Sequence, residues 1–198
     1  MKRTLSILFT GFVFCFSAQT EISVMCYNTL TYPQGSIADR NDTLKKILEY
    51  SLPDLVLLQE LKSEAGFLEL LDVFNSFPNS QYEAGTYVPQ ISNPSNDWRL
   101  QQNIIYNYAI FRLAHEEVIV TNYRDINYFK LYLFDALLDE GADTTFVHVY
   151  NTHLKSSQGF NNEQLRLQMT EVMIEHIDNL PENSYVIAGG DFNVYTSD

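Results

Sequence analysis

Apolar and polar positions along the chain follow two rhythms, and each change of rhythm marks an element. From Glu21, the run Ile22-Ser23-Val24-Met25-Cys26-Tyr27-Asn28-Thr29 is apolar and β-leaning and predicts a central strand with Asn28 at its exit. Ser36 with Asp39 has the spacing of a capping box, and Leu44, Ile47 and Leu48 form the stripe of a helix over about 37–50. Pro53 ends it, and Asp54-Leu55-Val56-Leu57-Leu58-Gln59-Glu60 follows as a continuous apolar strand closing on a carboxylate. Strand, helix and strand in succession predict a right-handed crossover, hence two parallel strands that deliver Asn28 and Glu60 to one edge.

Phe67, Leu70, Leu71 and Phe74 mark a second helix ending before Pro78, and the stretch from Tyr87 to Trp98 reads as a long loop. Gln102-Asn103-Ile104-Ile105-Tyr106 predicts another strand. Alternating segments over 126–137 and 143–152 predict a β-hairpin turning at Asp139-Glu140-Gly141-Ala142, and its second strand leads into Asn151-Thr152-His153-Leu154-Lys155. A helix carrying Leu165, Met169, Val172, Met173, Ile177 and Leu180 on one face runs to Pro181. Tyr185 to Ala188 is the strand that leads into Gly189-Gly190-Asp191-Phe192-Asn193, where two glycines permit a tight turn and an acid and an amide project two residues apart. No internal repeat at a fixed period, low-complexity tract or second-domain linker interrupts this order.

Composition adds a boundary and a constraint. A chain of 198 residues, 45% hydrophobic and 14% aromatic, is long enough for one sizeable core and is not disordered. Lys2 and Arg3 followed by the apolar run from Leu5 to Phe16 and by Ser17-Ala18-Gln19 have the layout of a secretory signal peptide over 1–19. The large Phe14 before Cys15 argues against a lipid anchor, and cleavage leaves Cys26 as the only cysteine, with no internal disulfide. The remainder carries ten basic residues against 25 acids, a net charge of −15. A polyanion binder ordinarily shows a basic face. Either the partner is not polyanionic, or divalent cations held by carboxylates supply the positive charge at the site; an acidic exterior also serves solubility.

Five polar residues sit at the ends of apolar strands: Asn28, Glu60, His153, Asp191 and Asn193. Singly, each has a structural reading: a turn, a solvated strand end, a loop hydrogen bond. His176, beside the stripe of the last helix, reads as packed, and Lys155 as solvent-facing. Together the five have the parts for metal-assisted attack of water on a phosphodiester. Mg²⁺ prefers oxygen ligands and keeps several waters. Glu60 is the best first ligand, with Asn28 and Asp191 near enough to orient it or its waters. The same Asp191 can align or deprotonate water, Asn193 can hydrogen-bond a phosphoryl oxygen, and His153, if protonated, can stabilise the negative transition state. No Cys or Ser lies at a recognisable spacing from a base.

Four ordered motifs, Cys26-Tyr27-Asn28, Pro53-Asp54-Leu55-Val56-Leu57-Leu58-Gln59-Glu60, Asn151-Thr152-His153-Leu154 and Gly190-Asp191-Phe192-Asn193, resemble those of the endonuclease/exonuclease/phosphatase superfamily, the deoxyribonuclease I-like proteins. The resemblance implies a four-layer α/β sandwich with two packed mixed β-sheets and a divalent-metal phosphoesterase site at the strand ends. It implies metal-site roles for Asn28, Glu60 and Asp191, catalytic roles for His153, Asp191 and Asn193, and Mg²⁺ as the cofactor, with Mn²⁺ or Ca²⁺ as alternatives. Arg166 resembles an arginine often found in the helix after the histidine motif, and Glu163 is a plausible structural partner for it. The family pattern continues with further strands and an Asp-His pair, whereas this chain ends at Asp198. The expectation is therefore a fragment, a domain over 20–198 whose C-terminal part is missing.

The functional expectation is a secreted or periplasmic bacterial metal-dependent phosphodiesterase acting on extracellular DNA or RNA. A monomer with nucleic acid as substrate, no protein partner and no stable membrane anchor goes with it. A sphingomyelinase-like phosphoesterase and a catalytically inactive binding domain that keeps the fold are the alternatives.

Overall fold

A computed structural model of the chain describes residues 21–34, 39–93, 99–134 and 144–195. Strand β1 (Val24–Tyr32), helix α1 (Arg40–Ser51) and strand β2 (Leu55–Leu61) come first, followed by α2 (Glu64–Phe74), β3 (Tyr82–Ala84) and β4 (Gln101–Asn107). The second half runs β5 (Phe111–Ile119), β6 (Ile126–Leu133), β7 (Phe146–His153), α3 (Phe160–Asp178) and β8 (Tyr185–Asp191). The strands form two four-stranded sheets, ordered β1-β2-β4-β3 and β5-β6-β7-β8. Both are mixed: β1 runs parallel to β2 and β8 to β7, while the other neighbours are antiparallel.

Strand β2 shows why a continuous apolar run is needed. Side chains alternate across a strand, so a strand buried on both faces reads as a near-continuous apolar run. Val56 and Leu58 pack with Leu44 and Leu48 of α1 and with Phe67, Leu70 and Phe74 of α2. Leu55 and Leu57 face the other way, against Phe129, Leu131, Val147 and Val149 of the second sheet. On the far side Tyr128 and Tyr150 pack against Met173 of α3, which completes four layers: helices, sheet, sheet, helix.

Several boundaries differ from the sequence expectation. Helix α1 begins at Arg40 with Asp39 at the N-cap, and that side chain makes no capping hydrogen bond; Ser36 lies outside the described residues. The leader over 1–19, residues 94–98 of the long loop and the hairpin turn at 139–142 also lie outside them. Strands β3 and β5 were not expected. β3 is three residues long, and a register shift between Leu113 and His115 disrupts alternation in β5. No helix among the described residues is long and apolar enough to cross a membrane.

Candidate active site

Asn28 and Glu60 are not at strand exits but at irregularities inside strands. β1 continues to Tyr32 with a register shift between Asn28 and Tyr32, where Leu30 and Thr31 take positive φ. β2 continues to Leu61 with a shift between Leu58 and Leu61, and Glu60 itself sits at φ 62°. A bulge re-aims a side chain that regular pleating would send elsewhere. Thr31 N–H donates to Glu60 Oε2 at 3.0 Å, which ties one irregularity to the other. Arg40 secures the same turn by donating to the carbonyls of Thr29 and Leu30.

On the second sheet, parallel pairing sets His153 of β7 directly beside Asp191 of β8. The paired glycines there do not make a turn, as the sequence pattern implied; both lie within β8. Gly190 has φ 132°, and a Cβ on it would fall 1.9 Å from Thr152 O, so the backbone of β7 occupies the space a side chain needs. A Cβ on Gly189 would fall 2.8 Å from Leu57 and 3.0 Å from Cys26 Sγ, so this glycine lets the second sheet close on the first.

The two halves meet at Asn28. Its Nδ2 donates to Glu60 Oε1 and to Asp191 Oδ2, each at 3.0 Å. Its Oδ1 accepts from Leu30 N–H at 2.9 Å, which fixes the orientation of the amide. His153 Nε2 stands 3.7 Å from Asp191 Oδ2 and 4.0 Å from Glu60 Oε1. Asn193 N–H donates to Asp191 Oδ1 at 3.0 Å. The Asn193 carboxamide donates to Leu154 O at 3.1 Å and accepts from Tyr195 OH at 3.2 Å, so Asn193 joins the group through its backbone while its side chain fastens the adjoining loop. All five residues expected from sequence are thus in one place.

Electrostatically the cluster is two carboxylates around a neutral donor. Burial, then the charge of Arg124, pushes the His153 pKa down to about 4, against the pull of Asp191. His153 is therefore neutral at neutral pH in this arrangement, not the imidazolium considered from sequence. Its Nδ1 is buried without a partner among the described residues. Among those residues no group of three or more His, Cys, Asp or Glu forms a ready-made metal cage.

Two features were not foreseen. Arg124, 7% exposed in the loop between β5 and β6, donates to the carbonyls of Leu154 at 2.8 Å and His153 at 3.3 Å. Burial lowers its pKa, while Tyr123, Glu60 and Asp191 oppose that shift. Its sequence context carries no signal beyond a charge between two strands. Beneath the carboxylates lies a buried amide layer: Asn151 accepts from Gln59 Nε2 at 2.8 Å and donates to Leu58 O at 2.9 Å and Asn103 O at 2.8 Å. Amides inside otherwise apolar strands were the available clue. Arg166, noted by resemblance, donates to the carbonyls of Lys155 and Ser157 at 2.9 Å each and so holds the loop after β7.

No family model and no curated protein matches the chain. Solved structures do. A structure of TDP2 from D. rerio complexed with a single-strand DNA product is 20% identical, with a TM-score of 0.59 over 88% of this chain and 62% of that one. An endonuclease/exonuclease/phosphatase family protein from Bacteroides thetaiotaomicron is 12% identical, with a TM-score of 0.60 over 87% of this chain and 63% of that one. A mannosyl-6-phosphatase from the same organism is 14% identical, with a TM-score of 0.59 over 88% and 66% respectively. The chain thus spans less than two thirds of the length of each, and what it shares with them is the fold.

Proposed function

Because the chain has the endonuclease/exonuclease/phosphatase fold, we propose that it is a secreted, divalent-metal-dependent phosphodiesterase, a nuclease acting on extracellular DNA or RNA. The observation that carries the proposal is the convergence of Glu60 and Asp191 on a single amide, Asn28 Nδ2, with neutral His153 beside both.

The donor set suits a hard cation. Two carboxylates held close, with only a neutral amide between them and a buried arginine behind, form a local excess of negative charge with oxygen donors. Glu60 and Asp191 would hold the ion, and Asn28 would space them, since its oxygen is committed to Leu30 N–H. Bound there, Mg²⁺, with Mn²⁺ or Ca²⁺ as alternatives, would neutralise the phosphate and ease departure of the leaving oxygen. Asp191, fixed by Asn193 N–H, accepts a proton from or aligns the attacking water. His153 Nε2, on the same side, donates a hydrogen bond to a phosphoryl oxygen when its proton sits on that nitrogen. The second N–H of the Asn193 amide is available for the same purpose.

The test is cleavage of supercoiled plasmid and of RNA by leader-free protein in Mg²⁺ or EDTA, beside Glu60→Ala and Asp191→Ala. Metal-dependent cutting lost in both variants supports the reading. No cutting by folded protein overturns the nuclease. The net charge of −13 favours a second reading, a phosphoesterase for compact substrates, because it does not attract a polyanion. Phosphorylated sugars and sphingomyelin in the same assay distinguish it, and failure on all substrates leaves a binding domain.

A further inference from the structure

A second cavity, of about 220 Å³, is lined by none of the five clustered residues. It opens between Thr86 and Val88, in the segment after β3, and the face of β5 and β6 that carries Glu116, Val118, Asn127 and Phe129. Val118 pairs with Asn127, and Glu116 with Phe129, across the β5–β6 ladder, so alternation puts all four on one face. Val88, Val118 and Phe129 give it apolar walls. Asn127 is 3% exposed, and its Oδ1 has no partner among the described residues. Glu116 Oε2 accepts from Thr86 N–H at 2.9 Å, which holds that carboxylate at the cavity. The next residue, Glu117, turns its carboxylate to His115 and His176, at 3.8 Å from each. No lysine or arginine is among the lining residues.

These features select one ligand chemistry. A buried acceptor is costly unless a donor reaches it. A fixed carboxylate in a cavity whose lining residues include no lysine or arginine repels anions and favours positive charge. Apolar walls offer too few oxygens for a hydrated metal ion. The volume equals about seven waters, room for a short stem and a compact head. We propose that this cavity binds a primary alkylammonium group. Its N–H donates to Asn127 Oδ1, Glu116 balances its charge, and its stem packs on Val88, Val118 and Phe129. A free amine and a lysine side chain share that chemistry.

The test is titration of isotopically labelled protein, followed by the NMR signals of Val118 and Phe129, with n-butylammonium, n-butanol, butyrate and N-acetyl-lysine methylamide. Saturable binding of n-butylammonium is expected, at least ten-fold tighter than n-butanol, with none by butyrate. Loss of the charge-assisted hydrogen bond in Asn127→Leu should weaken binding about ten-fold or more, and Glu116→Gln several-fold. Binding of the lysine derivative assigns the site to a protein side chain, and its exclusion assigns the site to free amines. The proposal is overturned if n-butylammonium produces no shift at about 200 mM, above the Kd of roughly 6 to 80 mM that a charge-assisted contact alone supplies. Binding of n-butanol equally well, or an unchanged affinity in folded Asn127→Leu, also overturns it. The ligand series uses unaltered protein, so the test stands even if that variant repacks. No readout depends on hydrolysis at the carboxylate cluster.

Discussion

Replacement of Asn151 by alanine tests whether the amide layer supports the site. Asn151 is fully buried, and its three hydrogen bonds link β7 to β2 and β4, which makes it a direct tie between the sheets. Each bond contributes about 1 kcal/mol net, and the vacated volume adds roughly another, so Asn151→Ala should cost about 3 to 4 kcal/mol. For a domain of this size that lowers Tm by roughly 10 °C. Urea titration followed by far-UV circular dichroism should show a lower midpoint at unchanged slope. A cycle of Gln59→Leu, Asn151→Leu and the double variant isolates the bond between them. Removing both partners spares a buried orphan, so the double variant should be at least about 1 kcal/mol more stable than additivity predicts. Since Gln59 precedes Glu60 and Asn151 lies two residues before His153, turnover measured well below Tm should also fall, by about ten-fold or more. A loss of stability under about 1 kcal/mol, or a coupling energy near zero, refutes the view that the amides clamp the sheets.

Gly190→Ala should prevent β8 from pairing with β7 and cost at least about 3 kcal/mol, given the 1.9 Å approach to Thr152 O and a φ that L-residues avoid; a near-native thermal melt contradicts this. The fold favours neutral His153, so its contribution to stability is fully present above an unfolded pKa of about 6.5 and is lost as pH falls towards about 4. In EDTA, acidification should therefore cost the native protein up to about 3 kcal/mol more than it costs His153→Gln, and equal losses would remove the basis for a depressed pKa. Arg124→Met should raise the His153 pKa, because Arg124 lowers it; NMR titration of the imidazole checks the direction. EDTA should abolish hydrolysis and restored Mg²⁺ recover it, whereas hydrolysis insensitive to chelation would remove the ion from the proposal.

Much of this architecture was legible because burial dictates composition. The apolar run Leu55–Leu58 of β2 has no solvated face, and the parallel β1–β2 and β7–β8 pairs follow from helices between strands. The convergence of Asn28, Glu60, His153, Asp191 and Asn193 was also readable, since each follows an apolar run. Less legible was anything set by departures from regular geometry. A bulge at Glu60 leaves no mark in residue type, so the side chain looked like the end of a strand. β5 lost its alternation to the Leu113/His115 shift. Arg124 belongs to the site only through tertiary contact with the His153 and Leu154 carbonyls. The His153 charge state depends on desolvation, which a one-dimensional pattern does not report.

The carboxylates are held where the sheets depart from ideal structure. Regular pleating would place Glu60 in the ladder beside Gln59; a left-handed backbone at Glu60 and positive φ at Leu30 and Thr31 turn it towards Asn28 instead. Such conformations persist only when the surroundings over-determine them. Here the determinants are visible: Thr31 N–H on Glu60, Arg40 on the carbonyls of the turn, and Thr29 Oγ1 donating to Gln59 O at 2.7 Å. On the opposite sheet the glycine that lets Asp191 approach His153 gives up side-chain packing for close backbone contact. An apolar layer beneath these turns would exclude water but fix no register, because dispersion contacts have little direction. The Gln59 and Asn151 amides, with the Asn103 carbonyl, add direction at the level where the two sheets must align the carboxylates within hydrogen-bond reach of one nitrogen. The buried polar layer and the strained turns are two parts of one device, and a substitution that relaxes either should disturb the spacing of Glu60 and Asp191 before it disturbs the fold.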